Sequence, residues 1–269
     1  MLVLIFDVVN ALDYAKSREI IISFISQIVE RVGAGGVVLG LSGGLDSTVA
    51  AALATEALGP RRVLGLVMPS IFTPQEDVKD ALEVAGQLGI ETRLIDITPI
   101  SEAFARSIPD YSPEYRLASG NLLPRIRMAV LYYYANKDNR LVVGTSDRSE
   151  LLLGYFTKYG DGGADFLPIA PLYKLQVREM ARRLGFPHIA QKPSSPRLWH
   201  GHTAEGELGA SYEVIDQVLY ALFDLKKPLA EVRELFGEVA DFVMRRVRAN
   251  LHKLLPPPSP DISAARRHV

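Results

Sequence analysis

Four short apolar runs alternate with helical stretches, and this alternation constrains the fold more than anything else in the chain. The runs are Val37–Leu41, Arg62–Met68, Thr92–Ile97 and Arg140–Thr145. Each is nearly continuous in apolar character rather than strictly alternating, the pattern of a strand covered on both faces in a parallel sheet. Between and around them the spacing predicts helices over 11–32, about 46–58, 75–88, 122–136 and 172–184. In the first helix Ile21, Phe24, Ile25, Ile28 and Val32 fall at helical intervals, and Gly33 stops it. Phe166–Ala170 is a candidate fifth extended element, and two or three helices fill 211–251. The segment 191–206 is polar and rich in Pro, Gly and Ser, so it reads as a loop, as does the Pro- and Tyr-containing stretch before 122. Strand and helix in turn predict an α/β fold: a doubly wound, mostly parallel sheet flanked by helices. Residues 1–255 read as one domain and 256–269 as a loosely ordered, Pro-rich tail.

Composition narrows the chemistry. The chain has 269 residues, a net charge of −1 and no cysteine. Disulfides, thiolate metal sites and a cysteine nucleophile are therefore excluded, and a wholly basic nucleic-acid surface is not indicated. The apolar start Met1–Val9 is interrupted by Asp7 and lacks the basic leader of a signal peptide. It reads as an ordered segment packed on the body or on a second subunit. No run is long enough to span a bilayer. The expectation is a cytoplasmic protein with neither membrane nor nucleic-acid partner.

The strongest motif is Gly40-Leu41-Ser42-Gly43-Gly44-Leu45-Asp46-Ser47, placed between a buried strand and a helix. Ser42, Gly43 and Gly44 leave backbone N–H groups free to face an anion, and the helix that follows offers its positive end. The Ser42 and Ser47 hydroxyls add donors. Asp46 is unfavourable beside bare phosphate, a conflict that a bound Mg²⁺ resolves; the plainer reading is a glycine turn with Asp46 as a helix cap. Glu150 follows the fourth strand and can join Asp46 as a second carboxylate on Mg²⁺, or be a solvated helix residue. No Gly-Lys-Ser/Thr is present, so this is not the common phosphate loop of nucleotide triphosphatases.

Ser-Gly-Gly-Leu-Asp-Ser resembles the pyrophosphate-binding loop of the N-type ATP pyrophosphatases, which share an adenine-nucleotide alpha-hydrolase-like fold. Three further blocks narrow the resemblance: Gly120-Asn-Leu-Leu-Pro-Arg-Ile-Arg-Met128, Val143-Gly-Thr-Ser-Asp-Arg-Ser-Glu150, and Gly154-Tyr-Phe-Thr-Lys-Tyr-Gly-Asp-Gly-Gly-Ala-Asp165. In this order they are similar to the ammonia-dependent NAD synthetases, over most of residues 20–255. The resemblance implies ATP-dependent amidation of deamido-NAD by ammonia through an acyl-adenylate, giving NAD, AMP and pyrophosphate. It also implies Mg²⁺ on Asp46 and Glu150, ATP contacts from the 40–47 loop, Thr145, Lys174 and Ser194, and a homodimer. By the same resemblance Arg125, Lys158, Asp165, His252 and Lys253 contact the dinucleotide, and Asp161 stands near the ammonia. Asp46, Asp161 and Lys174 are the candidate catalytic groups. Arg127, two residues beyond Arg125, is expected to point elsewhere on the helix and to be structural.

Three departures stand out. Ser194 replaces a common threonine while keeping the hydroxyl, His202 stands in the expected lid where glutamine is frequent, and Leu254-Leu255 follow His252-Lys253 in place of basic residues. The expectation is that no glutaminase domain accompanies the chain, so that ammonia is free or delivered by a separate subunit. Two other readings stay open: another adenylating synthetase of the superfamily, or a nucleotide-binding regulatory module without catalysis.

Overall fold

A computed structural model describes residues 5–262. In chain order its helices and strands are α1 (Tyr14–Val32), β1 (Gly36–Gly40), α2 (Leu45–Leu58), β2 (Val63–Val67), α3 (Gln75–Leu88), β3 (Glu91–Leu94), α4 (Thr98–Ser107), α5 (Arg116–Gly120), α6 (Leu122–Lys137), β4 (Arg140–Val142), α7 (Arg148–Leu153), α8 (Lys174–Arg183), α9 (Ala204–Leu208), α10 (Tyr212–Phe223), α11 (Leu229–Phe236) and α12 (Glu238–Asn250). The strands form one sheet in the order β3-β2-β1-β4, every pair parallel. The chain steps outward from β1 to β2 to β3, then crosses back to the far side of β1 as β4. This reversal opens a crevice at the carboxyl ends of β1 and β4, where open parallel sheets bind ligands.

The near-continuous apolar runs are explained by burial on both sides. Val37, Leu39, Val63 and Val67 pack with residues of α1, α2, α3 and α8 on one face. Val38, Leu64, Leu66 and Val142 pack against Leu123 and Ile126 of α6 on the other. β3 is the exposed edge, and its sequence Glu-Thr-Arg-Leu is correspondingly polar. α1 is capped by the Asp13 carboxylate, which accepts from Lys16 N, and closed by Gly33 at φ +73°. Its Ile21, Ile25 and Val29 are buried at intervals of four residues.

A third apolar cluster joins Leu153, Tyr173 and Leu208 to α10, α11 and α12. It holds the carboxyl-terminal helices beside the crevice. The amino-terminal segment closes on the same cluster: Val8 is buried, and Ile5 N and Phe6 N both donate to Gln217 Oε1. The expectation that this segment packs on the body therefore holds for residues 5–9; Met1–Leu4 lie outside the described residues. The tail from Pro256 to Ile262 carries no regular structure, and 263–269 lie outside the described residues.

Four local expectations are corrected. The candidate fifth strand contributes only a single parallel bridge, Phe166 to Val143. β4 stops at Val142 because Gly144 N turns to Phe166 O at 2.9 Å. The stretch before 122 contains α4 and α5, and the loop 191–206 ends early, at Thr203, whose side chain accepts from Gly206 N and caps α9.

Candidate functional site

The phosphate loop leaves β1 and enters α2 with an open helix end. Gly44 is the N-cap and supplies no side-chain cap, so the first amides of α2 have no side-chain acceptor there. The loop is braced from inside: Ser42 Oγ and Ser47 Oγ lie 2.9 Å apart, Gly44 N donates to Ser42 Oγ at 3.2 Å, and Ser47 Oγ meets Gly44 O at 3.2 Å. Gly43 sits at φ +69°, and a Cβ there would lie 2.0 Å from the Asp77 carbonyl oxygen. Only glycine lets the loop pass so close to the start of α3. Asp46 is not the cap of α2; it lies in the first turn and points to Lys174.

Lys174 is fully buried at the start of α8. Its Nζ stands 2.7 Å from Asp46 Oδ2, 2.9 Å from Glu150 Oε1 and 3.1 Å from Asp147 Oδ2. Burial alone would lower the lysine pKa, but Asp147, Asp46 and Glu150 outweigh it and hold the ammonium charged. One cation cannot balance three carboxylates: burial pushes Asp147 up to about 7 and Glu150 well above the usual carboxylate range, against the pull of Lys174. Asp147 was not among the expected residues. Its sequence signal was present, since Asp147 and Glu150 form a reciprocal capping box at α7, with Glu150 N donating to Asp147 Oδ1 at 2.8 Å. Glu150 is thereby a fixed side chain rather than a solvated one.

Around this cluster opens a cleft of about 830 Å³ at the β1/β4 crevice. It is lined by Gly40, Leu41, Ser42, Gly44, Leu45, Asp46 and Ser47 of the loop, by Thr145 and Glu150 after β4, and by Ser194 of the lid segment. Arg125, Lys158, Asp161, His252 and Lys253 line it as well. The expected nucleotide and dinucleotide residues thus converge on one cavity from separate parts of the chain. Lys158 Nζ donates to His252 O at 3.0 Å, and Lys253 Nζ donates to Gly154 O and Phe156 O at 2.7 and 3.0 Å. These bonds bring the turn after α12 against the glycine loop 154–163. Burial raises Asp161, whose Oδ1 accepts from Thr157 N at 2.9 Å.

Three expected residues stand elsewhere, and the first is Gly43, which packs against the start of α3 and is not in the cleft wall. Lys174 lies beneath the cleft rather than in its wall. Asp165 is turned to the sheet: Val142 N donates to its Oδ2 at 2.7 Å and Tyr132 OH to its Oδ1 at 3.1 Å. Conversely, Arg127, Lys192, Arg197 and Glu207 line the cleft without having been singled out for it. Arg127 does face the cavity, because its Nε is tethered to Met68 O at 3.0 Å across from α6. Burial lowers its pKa to about 10, against the opposing effect of Asp161.

The lid segment is latched at both ends. Lys192 Nζ donates to Gly43 O at 3.0 Å and to Asp77 Oδ1 at 2.8 Å, and it also pairs with Asp80. Arg197 Nε donates to Asp77 Oδ2 at 2.8 Å. At the other end His202 is buried, stacked on Trp199 with ring centroids 3.5 Å apart, and its Nε2 lies 2.8 Å from Glu207 Oε2.

A residue set fit for a divalent cation can be tested on Asp46. Its Oδ1 is buried with no hydrogen-bond partner, and both Asp46 and Glu150 reach the cleft beside the loop amides. An orphaned carboxylate oxygen next to a loop of open backbone amides fits a hard cation that takes oxygen ligands.

A parallel α/β sheet with an open phosphate loop at its switch point, backed by acidic side chains, defines a nucleotide-using enzyme. The comparisons specify which. The family model for NAD synthase matches residues 18–257. The NH(3)-dependent NAD(+) synthetase of Pyrobaculum aerophilum is 71% identical over 265 residues, spanning 98% of this chain and 99% of the relative. Among solved structures, the NMN synthetase of Francisella tularensis superposes with a TM-score of 0.84 at 34% identity, covering 93% of this chain and 100% of that one. The NH3-dependent NAD synthetase of Campylobacter jejuni gives a TM-score of 0.79 at 33% identity, with the same coverage. The chain belongs to the NAD synthase family, in its ammonia-dependent branch, and is an ATP-using ligase of NAD biosynthesis.

Proposed function

We propose that the protein amidates deamido-NAD with ammonia at the expense of ATP, through an acyl-adenylate. The observation that carries this reading is the convergence, on one cleft, of the phosphate loop with Arg125, Lys158, Asp161, His252 and Lys253. The loop amides and the Ser42 and Ser47 hydroxyls receive the β- and γ-phosphates, while Thr145 and Ser194 contact the nucleotide. Ser194 suits that role, since its Oγ is buried without a partner. Asp46 and Glu150 would hold Mg²⁺, which when bound neutralises phosphate charge. Lys174 acts from below, keeping these carboxylates in place and supplying positive charge near the phosphates.

Arg125, Lys158, His252 and Lys253 hold the dinucleotide so that its pyridine carboxylate meets the α-phosphate. The carboxylate oxygen forms a bond to the α-phosphorus, and the bond to the β-phosphate oxygen breaks, releasing pyrophosphate onto the loop. Here the side chains act by positioning and by charge. Ammonia then adds to the acyl carbon and AMP departs with the carboxylate oxygen. Asp161 accepts the proton that the nitrogen loses, a role suited to a carboxylate whose burial raises its affinity for protons. The lid from Lys192 to Thr203 excludes water, which would otherwise hydrolyse the adenylate. A homodimer is consistent with Ile20 and Val32 standing exposed on α1.

The likeness to an NMN synthetase keeps a second pyridine-carboxylate substrate, the mononucleotide, in view. The test is an assay with ATP, Mg²⁺, ammonium and either deamido-NAD or the mononucleotide acid, following amide product and AMP. Equal appearance of NAD and AMP, abolished in Asp46→Ala, supports the proposal. AMP formed only with the mononucleotide moves the substrate, and ATP binding without AMP formation leaves a regulatory module.

A further inference from the structure

Some cations at the cleft are neutralised by carboxylates, while Arg125, Lys158 and Lys253 donate to backbone carbonyls. Lys174 has three carboxylates, Lys192 pairs with Asp77 and Asp80, and Arg197 with Asp77. Arg127 is half-buried in the cleft wall and donates only through Nε, to a neutral carbonyl. Among the described residues its two terminal nitrogens have no hydrogen-bond partner, and no carboxylate is paired with it. Asp161 is near enough to act on its charge but makes no hydrogen bond to it. A guanidinium held in this way is costly until an anion arrives. The Nε tether fixes the plane of the fork, so the remaining N–H pair is preorganised for a two-oxygen acceptor.

We infer that Arg127 is the specificity-determining residue that lets the site bind the pyridine carboxylate of the substrate and release the carboxamide product. This rests on the reaction proposed above. The loop amides serve the ATP phosphates, and the fork stands by Asp161, the group proposed to meet the ammonia, so it faces the carbon that reacts. A carboxylate accepts both N–H bonds and supplies the missing charge. The carboxamide is neutral, and its NH₂ presents donors to donors. The same side chain therefore attracts substrate and disfavours product, discrimination by an attractive and a repulsive element together.

The experiment measures Kd for deamido-NAD and for NAD by calorimetry, on the wild type, Arg127→Met and Arg127→Lys, with KM for ATP alongside. Deamido-NAD affinity is expected to fall roughly 10- to 100-fold in Arg127→Met, the loss of a charge-assisted bond, while NAD affinity stays within about threefold. Arg127→Lys, which keeps charge without the fork, should retain part of the preference and serves if the methionine variant does not fold. An equal loss for both dinucleotides, an unchanged preference for the acid, or a rise confined to the ATP KM would overturn the inference. A wild type that binds neither dinucleotide would instead sink the proposed reaction.

Discussion

Replacing Lys174 with methionine removes the one cation beneath the cleft and leaves the shape of the side chain nearly intact. Three carboxylates would then face one another without a cation, Asp147 at 0% side-chain exposure and Asp46 and Glu150 at 20% and 19% on the cleft side. Breaking a buried ion pair by deleting one partner costs about 3–5 kcal/mol, because the surviving charge is left uncompensated. With three partners at 2.7–3.1 Å, the upper half of that range is expected. For a chain of this size the loss corresponds to a fall in Tm of roughly 8–20 °C. Urea denaturation and thermal melting of the purified variant, without nucleotide or Mg²⁺, measure it. A second substitution, Asp147→Asn, removes one of the stranded charges while keeping an N-cap. The double variant should recover part of the loss, giving a non-additive cycle. A Lys174→Met cost below about 1 kcal/mol, or strict additivity with Asp147→Asn, would refute the view that this lysine neutralises a buried acidic cluster.

Four further outcomes follow from the geometry. Gly43→Ala forces a Cβ to 2.0 Å from the Asp77 carbonyl at φ +69°, so ATP binding measured by calorimetry should fall at least tenfold, about 1.4 kcal/mol; unchanged binding would contradict the tight passage of the loop. Asp165→Asn should lower stability by about 1–3 kcal/mol, by spoiling the bonds to Val142 N and Tyr132 OH, with little change in KM for the dinucleotide; a large KM effect at unchanged stability would restore the contact role implied by the family. Lys192→Met should alter the emission of Trp199, the single tryptophan of the chain, by freeing the lid it latches, and an unaltered spectrum with and without ATP would argue against the latch. Asp216 is fully buried and burial pushes it up to about 7. A carboxyl raised in the folded state stabilises below its unfolded pKa and loses that contribution as pH rises from about 4 through 7, so stability curves should flatten over this window in Asp216→Asn; an identical slope would exclude the group.

What could be read from the chain itself depended on whether the cause was local. The strand–turn–helix around Gly40–Ser47 was legible because glycine content, apolar run and following helix all lie within about twenty residues. β1, β2 and α3 were legible for the same reason. α4 was missed: its Pro99 stands at the helix start, where proline is accepted, and the neighbouring Pro and Tyr residues favoured a loop. Asp147 is hard to single out from the sequence even beside Glu150, since its pairing with Lys174 spans 27 residues and depends on where α8 lands. Helical spacing points Arg127 away from Arg125, but its long side chain reaches Met68 O and the residue lines the cavity. Asp165 differs in the opposite sense: the motif around it marks a ligand loop, while in the structure its two oxygens accept from Val142 N and Tyr132 OH.

The central claim is that the substrate carboxylate attacks the α-phosphate of ATP. Deamido-NAD carrying ¹⁸O in its pyridine carboxylate tests this most directly, with the products of a single turnover in saturating ammonium analysed by mass spectrometry. The account predicts one ¹⁸O atom in AMP, one in the NAD carboxamide and none in pyrophosphate. Label appearing in inorganic phosphate with ADP as co-product, or AMP free of label, would contradict it.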